Sequence, residues 1–280
     1  MSPGSGPPTT AVEAVTVTDP SDARIADFVG LTDVERRCRL EPAAGLFIAE
    51  GELVIRRALA AGCLLRSALL APERLAALAD DLAAHPAPVF LAGPAVLQAV
   101  TGFIVHRGAL ASFSRPAPST AEQVLAGAHS IAVLEGMNNP TNLGSVFRSA
   151  AALGVGGVLL DPRCYDPLYR RAVRVSMGAV LEVPWARLSP WPQGLDTLAG
   201  NGFSRIALTP DPAAVALDAL DPAVLGRVAL LLGAEGPGLT PGAMGRVDIA
   251  VRIPMAAGVD SLNVGAAAAV AFYALARPPR

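Results

Sequence analysis

Three short stretches hold residue types that could do chemistry. In the first, Asn138-Asn139-Pro140-Thr141-Asn142-Leu143-Gly144 leads to Arg148, six residues beyond Asn142. In the second, Leu231-Leu232 runs into Gly233-Ala234-Glu235-Gly236-Pro237-Gly238, a glycine-rich turn holding one acid. In the third, Ile253-Pro254-Met255 ends an apolar run, and Ser261-Leu262-Asn263 opens a segment of small residues. An arginine keeps its proton up to about pH 12, so Arg148 suits gripping a phosphate or stabilising a developing alkoxide rather than removing a proton. A glycine directly after a strand lets a ligand approach the backbone, which makes Gly233 a binding candidate. Each stretch also has a plainer reading. Gly233 and Gly238 could be turn residues, Asn142 the cap of a helix beginning near Leu143, Ser261 or Asn263 the cap of the last helix, and Glu235 an exposed turn acid.

Two α/β series must position these stretches. In the first, residues 19–22 read as a helix start leading into 23–28. A short apolar run fills 46–49, strands are expected at 64–70 and 89–91, and helices at 53–61, 72–84 and 94–100. This alternation predicts a loose tail over 1–18, a small α/β domain over 19–112 and, from Pro116 and Pro118, a linker over 113–120. The second series fills 121–280. Its strands are expected at 131–134, 156–160, 206–208, 228–232 and 250–253, and its helices at 143–153, 168–175 and 264–276. Loops at the carboxyl ends of parallel strands are where such a sheet holds its ligands, and all three stretches fall there.

Composition narrows the function classes. Of 280 residues, 52% are hydrophobic, enough for a sizeable core and against global disorder. No apolar run reaches the roughly 18 residues of a membrane span. Residues 1–10 have neither a basic start nor an apolar centre, so they read as a tail rather than a signal peptide. Cys38, Cys63 and Cys164 show no metal-ligand spacing, which favours a reduced, cytoplasmic setting and no metal. His85, His106 and His129 are isolated. All 22 basic residues are arginine, and the net charge of −2 argues against a non-specific nucleic-acid coat. An enzyme acting on RNA would then have to concentrate its arginines. Arg170, Arg171 and Arg174, just after Arg163, are the densest group, and Arg107 is a further candidate. The four-residue spacing puts Arg170 and Arg174 on one helix face, where a merely solvated face is the alternative.

Taken together, in this order and spacing, the three stretches resemble the signature motifs of the SpoU/TrmH family of RNA 2′-O-ribose methyltransferases, part of the SPOUT superfamily. The resemblance implies S-adenosylmethionine as cofactor, with Gly233, Ile253 and Leu262 enclosing its adenine and ribose and Thr209 and Met255 around them. It makes Arg148 the residue that activates the ribose hydroxyl and puts Asn142, Glu235, Ser261 and Asn263 at the same site. It further implies a parallel-sheet α/β domain threaded as a deep trefoil knot, and a homodimer to which Phe272, Tyr273 and Leu275 of the last helix could contribute. Phe47-Ile48-Ala49-Glu50-Gly51, followed by Val54, Arg56 and Arg57, resembles the start of the ribosomal-protein-like RNA-binding domain that many members carry. That domain favours ribosomal over transfer RNA. Two rivals stand beside this reading. A Rossmann-type nucleotide enzyme would need a Gly-x-Gly-x-x-Gly after the strand at 131–134, where none occurs. A non-catalytic RNA binder would have no need for Asn142, Arg148, Glu235, Ser261 and Asn263 together.

Overall fold

The computed structural model describes residues 12–257 and 259–275, and the chain divides into two compact units at Pro116/Ala117. The first unit opens with strand β1 (Ala14–Val17), helix α1 (Val34–Ala43), β2 (Leu46–Glu50) and α2 (Glu52–Ala60). It continues through β3 (Leu65–Leu70), α3 (Leu75–Ala83), β4 (Val89–Ala92), α4 (Pro94–Thr101) and β5 (Ala109–Ser114). These strands form one sheet in the order β1-β4-β3-β5-β2. The pairs β1–β4 and β3–β4 are parallel, while β5 runs antiparallel to β2 and β3.

Three expectations change here. Most of the expected tail (1–11) lies outside the described residues, but 14–17 are not loose. They pair with Val89–Ala92, and Val17 is buried in the core. β-Branched Val15 and Val17 suit that edge position. The expected linker at 113–120 starts too early, because β5 runs through Ser114, paired between β3 and β2, and Arg115 N still donates to Gly45 O at 2.8 Å. Helix α1 was not anticipated. Its charged run Glu35 to Arg39 hides the pattern, and Arg37 and Glu41 are buried as a pair at 2.8 Å.

In the second unit, α5 (Ala121–Leu125) leads to β6 (Ser130–Leu134), α6 (Pro140–Leu153), β7 (Val158–Leu160), α7 (Arg170–Val175) and β8 (Trp185–Arg187). Then follow α8 (Asp196–Gly200), β9 (Phe203–Leu208), β10 (Val215–Ala216), α9 (Pro222–Leu225) and β11 (Arg227–Leu232). The described chain closes with α10 (Pro241–Met244), β12 (Ile249–Arg252) and α11 (Val264–Leu275); Ala276, expected in that last helix, lies outside the described residues. The sheet is wholly parallel, in the order β10-β12-β9-β11-β6-β7-β8. From β6 the chain winds outward through β7 and β8. It then returns to the other side and inserts β11 between β9 and β6. That reversal beside β11 is the place where an open parallel sheet leaves a crevice at its carboxyl edge.

Helix α6 carries the first stretch away from this edge. Pro140 occupies the first turn of α6, and the Asn139 side chain accepts from Thr141 N at 2.9 Å. The helix therefore begins three residues before Leu143, because proline has the φ a first turn needs and no N–H to waste. Asn142, read above as a possible cap, is inside the helix instead, and its carboxamide is released for other contacts. Gly144 lets α7 pack closely, since a Cβ there would lie 2.8 Å from Ala172 O and 2.9 Å from Val175 Cβ. On α6 also rests α11, with Gly265 against Ser145.

Candidate active site at the carboxyl ends of β9, β11 and β12

The loops after these three strands enclose a cleft of about 840 Å³. Leu208, Leu232, Ile253, Leu262 and Val264 give it apolar walls, and the whole turn Gly233–Leu239 forms one side. The turn folds back on itself through a bridge between Ala234 and Gly238. Gly233 makes that fold possible: a Cβ there would sit 2.2 Å from the Gly238 carbonyl carbon. Its role is thus a close backbone approach, not a left-handed conformation.

At the mouth of the cleft one side chain joins all three stretches. Asn263 Nδ2 donates to Asn142 Oδ1 at 3.0 Å and to Glu235 Oε1 at 2.8 Å. Its Oδ1 accepts from Gly265 N at 2.9 Å, so the same residue caps α11. Asn263 is thus a helix cap that also lines the cleft, whereas among the described residues Ser261 caps no helix. Asn142 is 5% exposed while Asn263 is exposed, so their bond joins a buried acceptor to a donor at the surface. Glu235 is exposed and pairs with Asn263 rather than with an arginine.

Of the residues singled out from sequence, Thr209, Gly233, Glu235, Ile253, Met255, Ser261, Leu262 and Asn263 line the cleft. Arg148 does not. It lies six residues along α6 from Asn142, about 9 Å further down the axis, and is exposed. Among the described residues it has no hydrogen-bond or ion-pair partner, so its guanidinium is uncommitted. Arg170, Arg171 and Arg174 share the short helix α7, with Arg171 the exposed member. Arg107 belongs to the first unit, where its side chain lies across Gly51.

Two site residues went unread in the sequence. Arg252 ends β12 and lines the cleft, with its Nε buried and without a hydrogen-bond partner. An arginine at the last position of a strand that feeds a ligand loop was the available signal. The second is Glu135, directly after β6. It is 1% exposed and accepts from Trp191 Nε1 at 2.7 Å, Thr240 N at 2.8 Å, Thr240 Oγ1 at 2.8 Å and Arg163 Nη2 at 3.1 Å. An acid closing an apolar strand was the clue. Arg163 is thereby tied to Glu135 and, through Nε at 3.0 Å, to Asp161. Burial pushes the Asp161 carboxyl up, but the Gly136 amide, Cys164 and Arg163 outweigh it and hold its pKa below the ordinary value. The neighbouring Cys164 thiol is pushed up to about 12, first by burial and then by Asp161, so it stays protonated and donates to Leu134 O. Among the described residues no group of three acidic, histidine or cysteine side chains could hold a metal ion.

Comparison with known proteins gives this geometry a lineage. Residues 129–273, which include β6, the cleft and most of α11, match the SpoU rRNA Methylase family. The chain belongs to that family. It is accordingly an RNA methyltransferase of the SpoU/TrmH type, and the cleft lies where its three signature stretches meet. A similar protein, an uncharacterized tRNA/rRNA methyltransferase of Mycobacterium tuberculosis, is 50% identical over 259 residues, 92% of this chain and 90% of that relative. Among solved structures, the AdoMet-bound rRNA methyltransferase of Sinorhizobium meliloti superposes with a TM-score of 0.77 at 23% identity, over 93% of this chain and 97% of its own. An RNA 2′-O ribose methyltransferase superposes with a TM-score of 0.72 at 26% identity, over 94% and 97%. The fold of this SpoU-family chain is therefore shared along nearly its full length.

Proposed function

We propose that this protein transfers a methyl group from S-adenosylmethionine to a ribose 2′-hydroxyl of RNA, with ribosomal RNA the favoured substrate. The observation that carries this reading is the Asn263 side chain, which joins Asn142 and Glu235 at the mouth of an apolar cleft. The cleft suits the cofactor on its own chemistry. Its volume and aliphatic walls fit a purine nucleoside, while the backbone groups of the Gly233–Leu239 turn and of Ile253 and Leu262 offer hydrogen bonds to the base and ribose. When bound, S-adenosylmethionine supplies an electrophilic methyl group and needs no metal.

The chain's own residues must then position and activate a weak nucleophile. In this reading Arg148 holds the target phosphate and stabilises the alkoxide as it forms, because a guanidinium keeps its charge throughout. Glu235 has one oxygen occupied by Asn263 and keeps Oε2 to accept from the target hydroxyl. Asn142 and Asn263 hold that carboxylate in place, and Ser261 faces the ribose from the opposite loop. Because Arg148 stands outside the cleft, we read the site as completed across a homodimer. Of the residues expected at that contact, Phe272 and Leu275 are buried in this chain's own core, which leaves Tyr273 and the exposed Val270 on α11 as candidates. Arg170, Arg171, Arg174 and, in the ribosomal-protein-like first unit, Arg107 are the proposed RNA contacts. The same reading takes the second unit as a trefoil knot, on the support of the inserted β11 and the return of the 253–263 segment to α6 through Asn263. It places the protein in the cytoplasm; no helix among the described residues is long and apolar enough to cross a membrane.

The test is transfer of radiolabelled methyl from S-adenosylmethionine to total RNA of cells lacking this protein, followed by alkaline digestion. A 2′-O-methyl group removes the nucleophile that cleaves the next phosphodiester, so label in alkali-resistant dinucleotides is the expected result. Label in mononucleotides would mean base methylation and overturn the ribose assignment. Absence of label in every RNA fraction, with the cofactor shown to bind, would favour the non-catalytic RNA binder.

A further inference from the structure

We propose that Glu135 is a positioning residue for the cofactor cleft, fastening both ends of the Gly233–Leu239 turn and thereby setting affinity for the ligand that the turn encloses. The inference rests on the cofactor reading above for the identity of that ligand, but its structural part stands alone. Every residue of the turn lines the cleft. At the near end, Glu135 N donates to Leu232 O at 2.9 Å, the last carbonyl of β11 before Gly233. At the far end, Glu135 Oε2 accepts from Thr240 N and Oε1 accepts from Thr240 Oγ1, both at 2.8 Å. One residue thus closes the turn from each side, its backbone at the start and its carboxylate at the finish.

The carboxylate is buried and fully engaged, which is the condition for a rigid anchor rather than a loose one. Trp191 Nε1 and Arg163 Nη2 use the remaining capacity of Oε1, and Arg163 is itself held by Asp161. The Thr240 hydroxyl donates to Glu135 while accepting from Ala243 N at 3.3 Å, so it also caps α10. Leu239, the last residue of the turn, lines the cleft on one side and packs on the other against the same buried core cluster as Trp191. None of these groups reaches into the cleft except through the turn. Glu135 therefore acts on the ligand at one remove, as an acid that two oxygens and a negative charge make hard to replace.

Glutamine has nearly the same shape but only one acceptor oxygen, so Glu135→Gln cannot accept from Thr240 N on one side and from Trp191 Nε1, Arg163 Nη2 and Thr240 Oγ1 on the other. Thr240→Val removes the hydroxyl while leaving Glu135, and Thr240→Ser restores it. The first readout needs no cofactor: hydrogen–deuterium exchange of the 233–243 peptide. The second is S-adenosylmethionine affinity by calorimetry together with kcat and KM for methyl transfer. We expect Glu135→Gln and Thr240→Val to speed exchange in that peptide while β6 and β11 stay protected. They should weaken S-adenosylmethionine binding by about tenfold or more, raise its KM in step, and change kcat less than about threefold. Thr240→Ser should bind within about threefold of the unaltered protein. Unchanged exchange in 233–243 in both variants would overturn the tether, and so would faster exchange with affinity kept within about twofold. A matched loss of kcat and a lowered melting temperature without a KM effect would make Glu135 structural and overturn the proposal. If Glu135→Gln does not fold, Thr240→Val decides. If the unaltered protein binds no S-adenosylmethionine, the cofactor reading falls, while the exchange experiment still judges whether Glu135 holds the turn.

Discussion

A methyl group added at Gly233 would lie 2.2 Å from the Gly238 carbonyl carbon, 2.4 Å from Leu239 N and 2.5 Å from Gly238 O. Carbon atoms in ordinary contact sit about 3.5–4.0 Å apart, so the two arms of the turn must part by more than about 1 Å to admit it. The obstacles are backbone atoms, which no rotamer change can move. Gly233 is also not among the glycines with positive φ, so alanine meets a clash there without backbone strain. Overpacking of this kind costs about 1–3 kcal/mol, or several degrees of melting temperature for a protein of this size. The larger effect is on the cleft, whose wall would shift by about an ångström; displacement on that scale can cost about 10²-fold. Gly236→Ala is the control, because Gly236 has φ +85° and nothing within 4 Å of the added Cβ. It should bring backbone strain of about 1–2 kcal/mol without pushing the arms apart. Titration calorimetry with S-adenosylmethionine and thermal melting of both variants form the assay. Gly233→Ala should lose binding by about 10²-fold and Gly236→Ala far less. The reasoning is refuted if Gly233→Ala binds within about twofold of the unaltered protein, or if the two variants lose affinity equally.

Other perturbations address the remaining parts of the site. Arg148→Ala should lower kcat by about 10²-fold or more while the S-adenosylmethionine Kd moves less than about threefold, measured by single-turnover methyl transfer and calorimetry; a fully active variant would remove Arg148 from the mechanism. Asn263→Ala loses the cap of α11, worth about 1 kcal/mol, together with the tie between Asn142 and Glu235, so both the melting temperature and kcat/KM should fall. Asn263→Asp should lower kcat/KM further, because it sets a second carboxylate against Glu235 Oε1. In acid, Asp248 matters because its hydrogen bond to Arg205 holds its pKa below that of an ordinary aspartate. A carboxyl depressed on folding adds stability that is complete above its unfolded pKa and is lost as pH falls through its folded one. The melting temperature should therefore drop below about pH 4, and Asp248→Asn should make that drop shallower on a calorimetric pH series.

Much of the site was legible because it is written in local patterns. Gly233 after an apolar strand, Pro254 ending another, and Ser261-Leu262-Asn263 before a helix each declare a loop at the carboxyl end of a strand. These stretches supply seven of the residues expected at the site, and all seven line the cleft, where Thr209, after β9, joins them. Where the reading slipped, a neighbour outside the window was in control. Asn142 looked like a helix cap until Pro140 drew the start of α6 back to Asn139. β1 looked like tail because its strand partner, Val89–Ala92, lies some 75 residues away. Helix α1 was hidden by charges that turn out to pair with one another, Arg37 with Glu41 and Arg39 with Glu35.

By itself the sequence determined the chemistry on offer: which residue types stand at which loops, in what order, and the parallel α/β architecture that brings such loops to one edge. Periodicity and turn residues carry that information, since each element is shaped mainly by its immediate neighbours. Only the tertiary structure decided which groups meet. Asn263 reaches Asn142 across 121 positions of chain, and Thr240 reaches Glu135 across 105. Contacts of that span depend on the insertion of β11 between β9 and β6 and on the packing of α11 against α6. The same packing leaves Arg148 outside the cleft, although its motif runs straight on from Asn142. A hydrogen bond forms where two surfaces are buried together, and burial is a property of the whole fold rather than of any window of sequence.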